Sequence, residues 1–246
     1  MKTLQNKTAL VTGGSRGMGS AIAKRLAAQG ASVVLTYVNA EDKARAVVAD
    51  ITNAGGKAIA VKADSAKPEE VVAAVNKTVE GFGGIDILVN NAGIAIAKPL
   101  EEYTLQDYDD TMNINVRAIF VAVQAAIKHM KEGGRIINIG SNLGDAAVSA
   151  GLTLYTASKS TLQGLTRGMA RDLGSRKITV NLVQPGPVDT DMNPATSELA
   201  GFMKTRMATG EYGHIDDIAA LVSFLAGEES KYITGSVVTA DGGFNA

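Results

Sequence analysis

Tyr155 and Lys159 lie four positions apart in Tyr155-Thr156-Ala157-Ser158-Lys159, a spacing that puts both on one face of a helix. A free tyrosine titrates near pH 10 and exchanges protons poorly at neutrality. An ammonium beside it favours the phenolate and lowers that pKa. A fall of about two or three units, each ~1.4 kcal/mol, would poise the phenol for acid–base work. On its own the pair also fits the edge of an amphipathic helix. Ser141 gives it context, because it follows the apolar run Arg135–Ile139 and Gly140. A hydroxyl at a strand end can hold a carbonyl whose oxygen gathers charge as it is reduced. It can equally cap a turn. The fourth candidate is an asparagine inside the apolar segment Met112–Ile127, either Asn113 or Asn115. A buried mid-helix Asn needs partners, and it could bend the helix and hold a water leading to Lys159. The residues alone do not choose between the two.

A second cluster follows the first apolar run, Thr8–Val11. It reads Thr12-Gly13-Gly14-Ser15-Arg16-Gly17-Met18-Gly19 and opens a helical segment. Gly13 permits a tight turn, Gly17 lets the backbone approach a pyrophosphate, and Gly19 lets the helix pack closely on the strand. Free N–H groups and the positive dipole end of that helix attract an anion. The spacing is Gly-x-x-x-Gly-x-Gly, which differs from the commoner Gly-x-Gly-x-x-Gly. Ser15, Arg16 and Met18 belong to the same loop. The second apolar run ends Leu35-Thr36-Tyr37-Val38-Asn39 and has no acid before Glu41. An NAD site usually places an acid there for the ribose 2′-hydroxyl. Arg16 instead offers a planar fork to a 2′-phosphate. NADP(H) is therefore favoured over NAD(H), with Tyr37 and Asn39 as further candidate contacts.

The elements that must position these groups alternate. Strand candidates are Thr8–Val11, Ser32–Tyr37, Ala58–Val61, Ile85–Val89, Arg135–Ile139, Thr179–Val183 and Ser236–Thr239. Most are near-continuous apolar runs, as in strands buried on both faces of a parallel sheet. Helical patterns lie near residues 17–29, 40–54, 68–80, 104–130, 156–174 and 215–227, with Gly30, Gly55 and Gly81 as stop signals. The pattern predicts an α/β, doubly wound Rossmann-type domain with a seven-stranded parallel sheet and helices on both faces. Ligands bind such sheets beyond the strands' C-terminal ends, where every motif above falls. The chain of 246 residues is expected to form one domain, residues 1–246, with residues 184–213 as a substrate lid. Met192, Leu199, Phe202, Met203 and Met207 would give that lid an apolar wall, or simply pack it on the domain.

Composition narrows the function classes. Charged residues make up 20% and the formal net charge is −1, so no nucleic-acid or membrane surface is expected. There is no Cys and only two His, His129 and His214, which argues against disulfides, thiolate chemistry and a metal site. No apolar leader opens the sequence and no run approaches a span of roughly 20 apolar residues, so a cytoplasmic protein is expected.

Taken together, the motifs resemble the short-chain dehydrogenase/reductase family, in its ketoacyl reductase-like branch. The resemblance covers essentially the whole chain. It rests on Thr12-Gly13-x-x-x-Gly17-x-Gly19, Asn90-Asn91-Ala92-Gly93, Asn115, Ser141, Tyr155-x-x-x-Lys159 and Pro185-Gly186, in family order. It implies that Asn115, rather than Asn113, completes a tetrad with Ser141, Tyr155 and Lys159. It also implies that Asn91, Ala92 and Gly93 line the adenosine ribose, and that Asp64 and Ser65 lie near the adenine. Pro185, Gly186, Val188 and Thr190 would contact the nicotinamide end. The implied activity is NADP(H)-linked reduction of a small-molecule carbonyl, or oxidation of the alcohol. The implied assembly is a homotetramer through the segment Gly235–Ala246. Residues 133–187 also resemble a bacterial biofilm-dispersal branch linked to cyclic di-GMP, which implies a sensing role as the alternative. An NAD-dependent alcohol dehydrogenase is a further one. One departure stands out: Ser141 and Tyr155 are one position farther apart than is usual in the family, which lengthens the loop at Asp145–Gly151.

Overall fold

Seven short parallel strands make the frame. β1 (Thr8–Val11), β2 (Ser32–Tyr37), β3 (Lys57–Lys62), β4 (Ile87–Asn90), β5 (Arg135–Ile139), β6 (Thr179–Pro185) and β7 (Val237–Ala240) lie in the order β3-β2-β1-β4-β5-β6-β7. All six pairings are parallel. The computed structural model describes residues 3–246. The strand order runs outward from β1 to β3 and then restarts at β4 on the other side. The reversal opens a crevice between the C-terminal ends of β1 and β4.

Alternation along each strand feeds two cores. Ala9, Val11, Val33, Leu35, Ile87 and Val89 face one layer, whereas Leu10, Val34, Leu88 and Ile136 face the other. The first layer is covered by α1 (Gly17–Ala28), α2 (Glu41–Asn53) and α8 (Ile215–Ala226), through residues such as Ile22, Leu26, Ile51 and Val222. The second is covered by α3 (Pro68–Phe82), α5 (Ala118–Ala126) and α6 (Thr153–Leu173), through Val75, Ile119, Leu162 and Leu173. Both faces are thus dry, which explains the unbroken apolar runs.

Strand ends lie within two residues of expectation, and three helical segments depart from it more informatively. α3 continues through Gly81, and Gly83 ends it in the left-handed conformation, its N–H bonded to Val79 O at 2.8 Å. α6 starts at Thr153, so Tyr155 sits in its first turn. The segment expected as one helix over 104–130 is α4 (Leu105–Met112), a π-turn at Asn113–Arg117, and α5. The segment expected as a lid, residues 184–213, holds one short helix, α7 (Glu198–Arg206). His214 is the N-cap of α8, where it forms a reciprocal capping box with Asp217. No helix among the described residues is long and apolar enough to cross a membrane.

Candidate active site

The phosphate loop joins β1 to α1. Gly13 and Gly17 both take positive φ, +65° and +52°, which favours glycine. A side chain on Gly19 would overlap the Gly13 carbonyl and the Asn91 amide. The loop is fastened on both sides. From β2, Thr36 Oγ1 accepts the Gly13 N–H at 3.0 Å and its carbonyl accepts the Gly14 N–H at 2.9 Å. From the end of β4, Asn91 Nδ2 donates to the carbonyls of Thr12 and Gly13. Thr12 Oγ1 returns the contact by accepting the N–H groups of Asn91 and Ala92. The Asn91 side chain therefore braces the loop. Arg16 is the exposed N-cap of α1. Asp64 closes the turn after β3, its carboxylate accepting the Ala66 N–H, with half-buried Ser65 between them.

At the mouth of this crevice charges gather. Lys43 Nζ lies 3.1 Å from Asp191 Oδ2, joining α2 to the segment after β6. Lys43 holds the Asp191 carboxyl below its usual range, and Arg16 adds to the effect. Tyr37 is half-buried and Asn39 exposed at the end of β2. Pro185 is buried at the end of β6 and Val188 just past it, and the Gly186 N–H bonds to Ala240 O at 3.0 Å. Thr190 lies near Gly17: a Cβ built on that glycine would stand 3.6 Å from Thr190 Cγ2. Thr190, expected at the nicotinamide end, thus lies beside the phosphate loop.

The π-turn brings Asn115 into the floor of that cleft. Asn115 is fully buried, and its amide is satisfied within the protein. Its Oδ1 accepts the Ile94 N–H at 2.9 Å, and its Nδ2 donates to Ile94 O at 2.9 Å and Ser158 Oγ at 3.0 Å. Ser158 in turn donates to Tyr155 O at 2.7 Å. Asn113 is not in this network, so the geometry separates the two asparagines. Buried Lys159 donates to Ile139 O at 3.0 Å, with Nζ 5.7 Å from the centre of the Tyr155 ring. Gly93 lies where the two meet: a Cβ there would come within 3.2 Å of Asn115 Oδ1 and 3.4 Å of Lys159 Nζ. Ser141, buried just past the end of β5, accepts the Leu143 N–H at 3.2 Å and lies beside the Tyr155 phenol.

Electrostatics correct one expectation. Burial pushes the Tyr155 phenol above its ordinary value, and the hydrogen bond with Ser141 only partly offsets it. Burial lowers Lys159 itself to about 8. Tyr155 is therefore protonated at neutral pH. Sequence reasoning missed Ser158, Thr36, Lys43 and Asp191, whose roles depend on partners distant in the chain. Among the described residues no group of three or more His, Asp or Glu forms a metal-ligand cluster.

A parallel sheet with a glycine-braced anion cleft, beside a tyrosine, a lysine and a serine hydroxyl, defines a nucleotide-dependent oxidoreductase class. The family model described as enoyl-(acyl carrier protein) reductase matches residues 13–245, and the chain belongs to the short-chain dehydrogenase/reductase family. It is similar to a short-chain dehydrogenase of Burkholderia cenocepacia solved in complex with NADP. The two are 56% identical with a TM-score of 0.98, over 99% of this chain and 100% of that one. It is 42% identical to the cyclic-di-GMP-binding biofilm dispersal mediator protein of Escherichia coli over the full length of both. It is 41% identical to the 3-oxoacyl-[acyl-carrier-protein] reductase of Staphylococcus aureus, covering 96% of this chain and 97% of that one.

Proposed function

We propose that this chain is an NADP(H)-dependent reductase of ketones or 3-oxoacyl-type carbonyls, with Tyr155 as proton donor. The convergence of Ser141, Tyr155, Lys159 and Asn115 beyond β4 and β5 carries this reading. The cofactor fits the residues present. Gly13, Ser15, Gly17, Met18 and Gly19 offer a glycine-lined cradle for a pyrophosphate. Arg16 offers a cation for a 2′-phosphate. Asp64, Ser65, Ala92 and Gly93 border the adenosine side, and Pro185 to Thr190 the nicotinamide side. When bound, the cofactor supplies the hydride. Ser141 orients the substrate carbonyl and stabilises charge on its oxygen. Tyr155 gives that oxygen its phenolic proton. Lys159 lies behind the phenol and holds the positive charge that steadies it once the proton has left. Asn115 fixes the floor by tying Ile94 to Ser158.

Three supporting readings go with this one. Residues 184–213 act as the lid over the carbonyl. The Gly235–Ala246 segment mediates a homotetramer, which gel filtration would reveal. The enzyme works in the cytoplasm on a small molecule.

The test monitors NADPH absorbance with a panel of ketones and 3-oxoacyl thioesters, beside NADH and Tyr155→Phe. Turnover that prefers NADPH and needs Tyr155 is the expected result. Tight NADPH or cyclic di-GMP binding without turnover would replace this reading with a sensing role, in keeping with the biofilm-dispersal relative.

A further inference from the structure

Two loops frame the outer side of Tyr155. One leaves β4 as Asn91–Pro99 and carries Gly93 and Ile94, which border the tetrad. The other is the lengthened loop that leaves Ser141 and enters α6 at Thr153. Neither belongs to regular structure where they meet, so specific bonds must set their separation.

Those bonds converge on Gly151, four residues before Tyr155. The Gly151 carbonyl accepts the Lys98 N–H at 3.0 Å and the Tyr103 hydroxyl at 2.7 Å. The same hydroxyl is 2.8 Å from Ile96 O, so its single proton is shared between the two loops. Gly151 takes φ +82°, and a Cβ on it would stand 3.4 Å from the Lys98 carbonyl. Glycine is thus favoured where the loops approach. Lys98 is itself anchored: Nζ bonds both Asp107 oxygens, at 2.9 and 2.8 Å. Asp107 also receives the Thr104 N–H and hydroxyl as part of the α4 capping box. Lys98 and the Thr104 bonds hold that carboxyl at about 2, so it stays ionised at any working pH.

We infer that Tyr103, backed by the Lys98–Asp107 pair, is a positioning residue that sets the gap between these two loops and so the size of carbonyl substrate admitted beside Tyr155. The inference rests on the reductase reading for its substrate and on geometry alone for the clamp. The phenol of Tyr103 takes no part in the chemistry. Its effect passes through the Gly151 carbonyl to the start of α6.

The experiment combines Tyr103→Phe with hydrogen–deuterium exchange and steady-state kinetics on full-length protein. Tyr103→Phe keeps the ring and deletes only the shared proton. Exchange should speed up in both 94–103 and 145–154, with melting temperature nearly unchanged. KM should shift about fivefold between small and bulky ketones, while kcat for the smallest and the NADPH Kd stay within twofold. Lys98→Met should produce a weaker version of the same pattern. Unchanged exchange in 145–154 would overturn the clamp. Loosened loops with no size-dependent KM shift would overturn its role in selectivity. If the wild type reduces no carbonyl, the reductase reading fails, while the exchange result still decides the clamp.

Discussion

Asn115 and Asp191 both carry short polar side chains beside the cleft, yet they are held in opposite ways. Asn115 has no exposure, and three hydrogen bonds join it to the backbone of Ile94 and to Ser158. Asp191 is exposed, and its salt bridge to Lys43 is open to water on both sides. The same contrast divides the whole site. The floor of Asn115, Ser158, Lys159 and Ser141 is buried and internally bonded. The rim of Arg16 and Lys43 is exposed. A buried group left unpaired costs about 1–3 kcal/mol, whereas an exposed ion pair contributes ~0.2–1 kcal/mol. The proposed proton chemistry would therefore stand on fixed geometry, and the proposed cofactor selection on geometry that water and salt can rearrange.

The contrast can be broken at several points. Tyr155→Phe removes the proton donor without disturbing the rim, so kcat should drop by about 10²–10⁴-fold with NADPH affinity intact. Fluorescence titration of NADPH beside steady-state rates checks both halves. Arg16→Ala should do the reverse, weakening NADPH by about 10–100-fold and NADH hardly at all. Equal losses for the two cofactors would remove Arg16 from 2′-phosphate recognition.

Asn115→Ala should destabilise the fold by ~1–3 kcal/mol, because Ile94 and Ser158 lose their partners together. A thermal melt that moved by less than a degree would show the floor to be less rigid than its bonds imply. Lys159 adds a pH signature. Its ammonium sits at about 8 against an ordinary 10.5, so between those values the unfolded chain binds more protons than the native one. Burial of the charge thus costs stability below about pH 8, and the cost fades as pH rises toward 10.5. The melting temperature of the wild type relative to Lys159→Met should climb across that window; a flat difference would refute it. The smallest effect belongs to the rim. Lys43→Ala should change stability by no more than ~1 kcal/mol, and less at high salt.

The strands were legible because a strand buried on both faces must be apolar at consecutive positions, as in Leu10-Val11 and Ile136-Ile137. The phosphate loop was legible because Gly13, Gly17 and Gly19 answer local steric demands. The tetrad needed the family resemblance, since physics alone left Asn113 and Asn115 open. The break in the helix expected over 104–130 was not legible. Residues 113–117 are compatible with an α-helix, and the wide turn accompanies bonds from Asn115 to partners 21 and 43 positions away. Gly81 misled for the opposite reason. It is accommodated inside α3, and only the left-handed φ of Gly83 identifies the true stop. The Tyr103 clamp was invisible because its acceptor lies 48 positions away. The upward shift of Tyr155 was missed because burial is not readable from a four-residue spacing.

The wide turn at Asn113–Arg117 also sets a phase. One such turn adds about one residue, or about 100° of rotation, between the helices on its two sides. α4 can therefore show Leu105 and Tyr108 to solvent while α5, on the same axis, keeps Ala118, Ala122 and Ala126 against the sheet. Removing a single residue there would not merely shorten a helix. It would swing one half against the other, turning outward-facing apolar groups toward the core or carrying Asn115 off the floor. Apart from Asn115, length in this stretch is thus fixed more tightly than residue identity, so substitutions at its other positions should be tolerated where deletions are not.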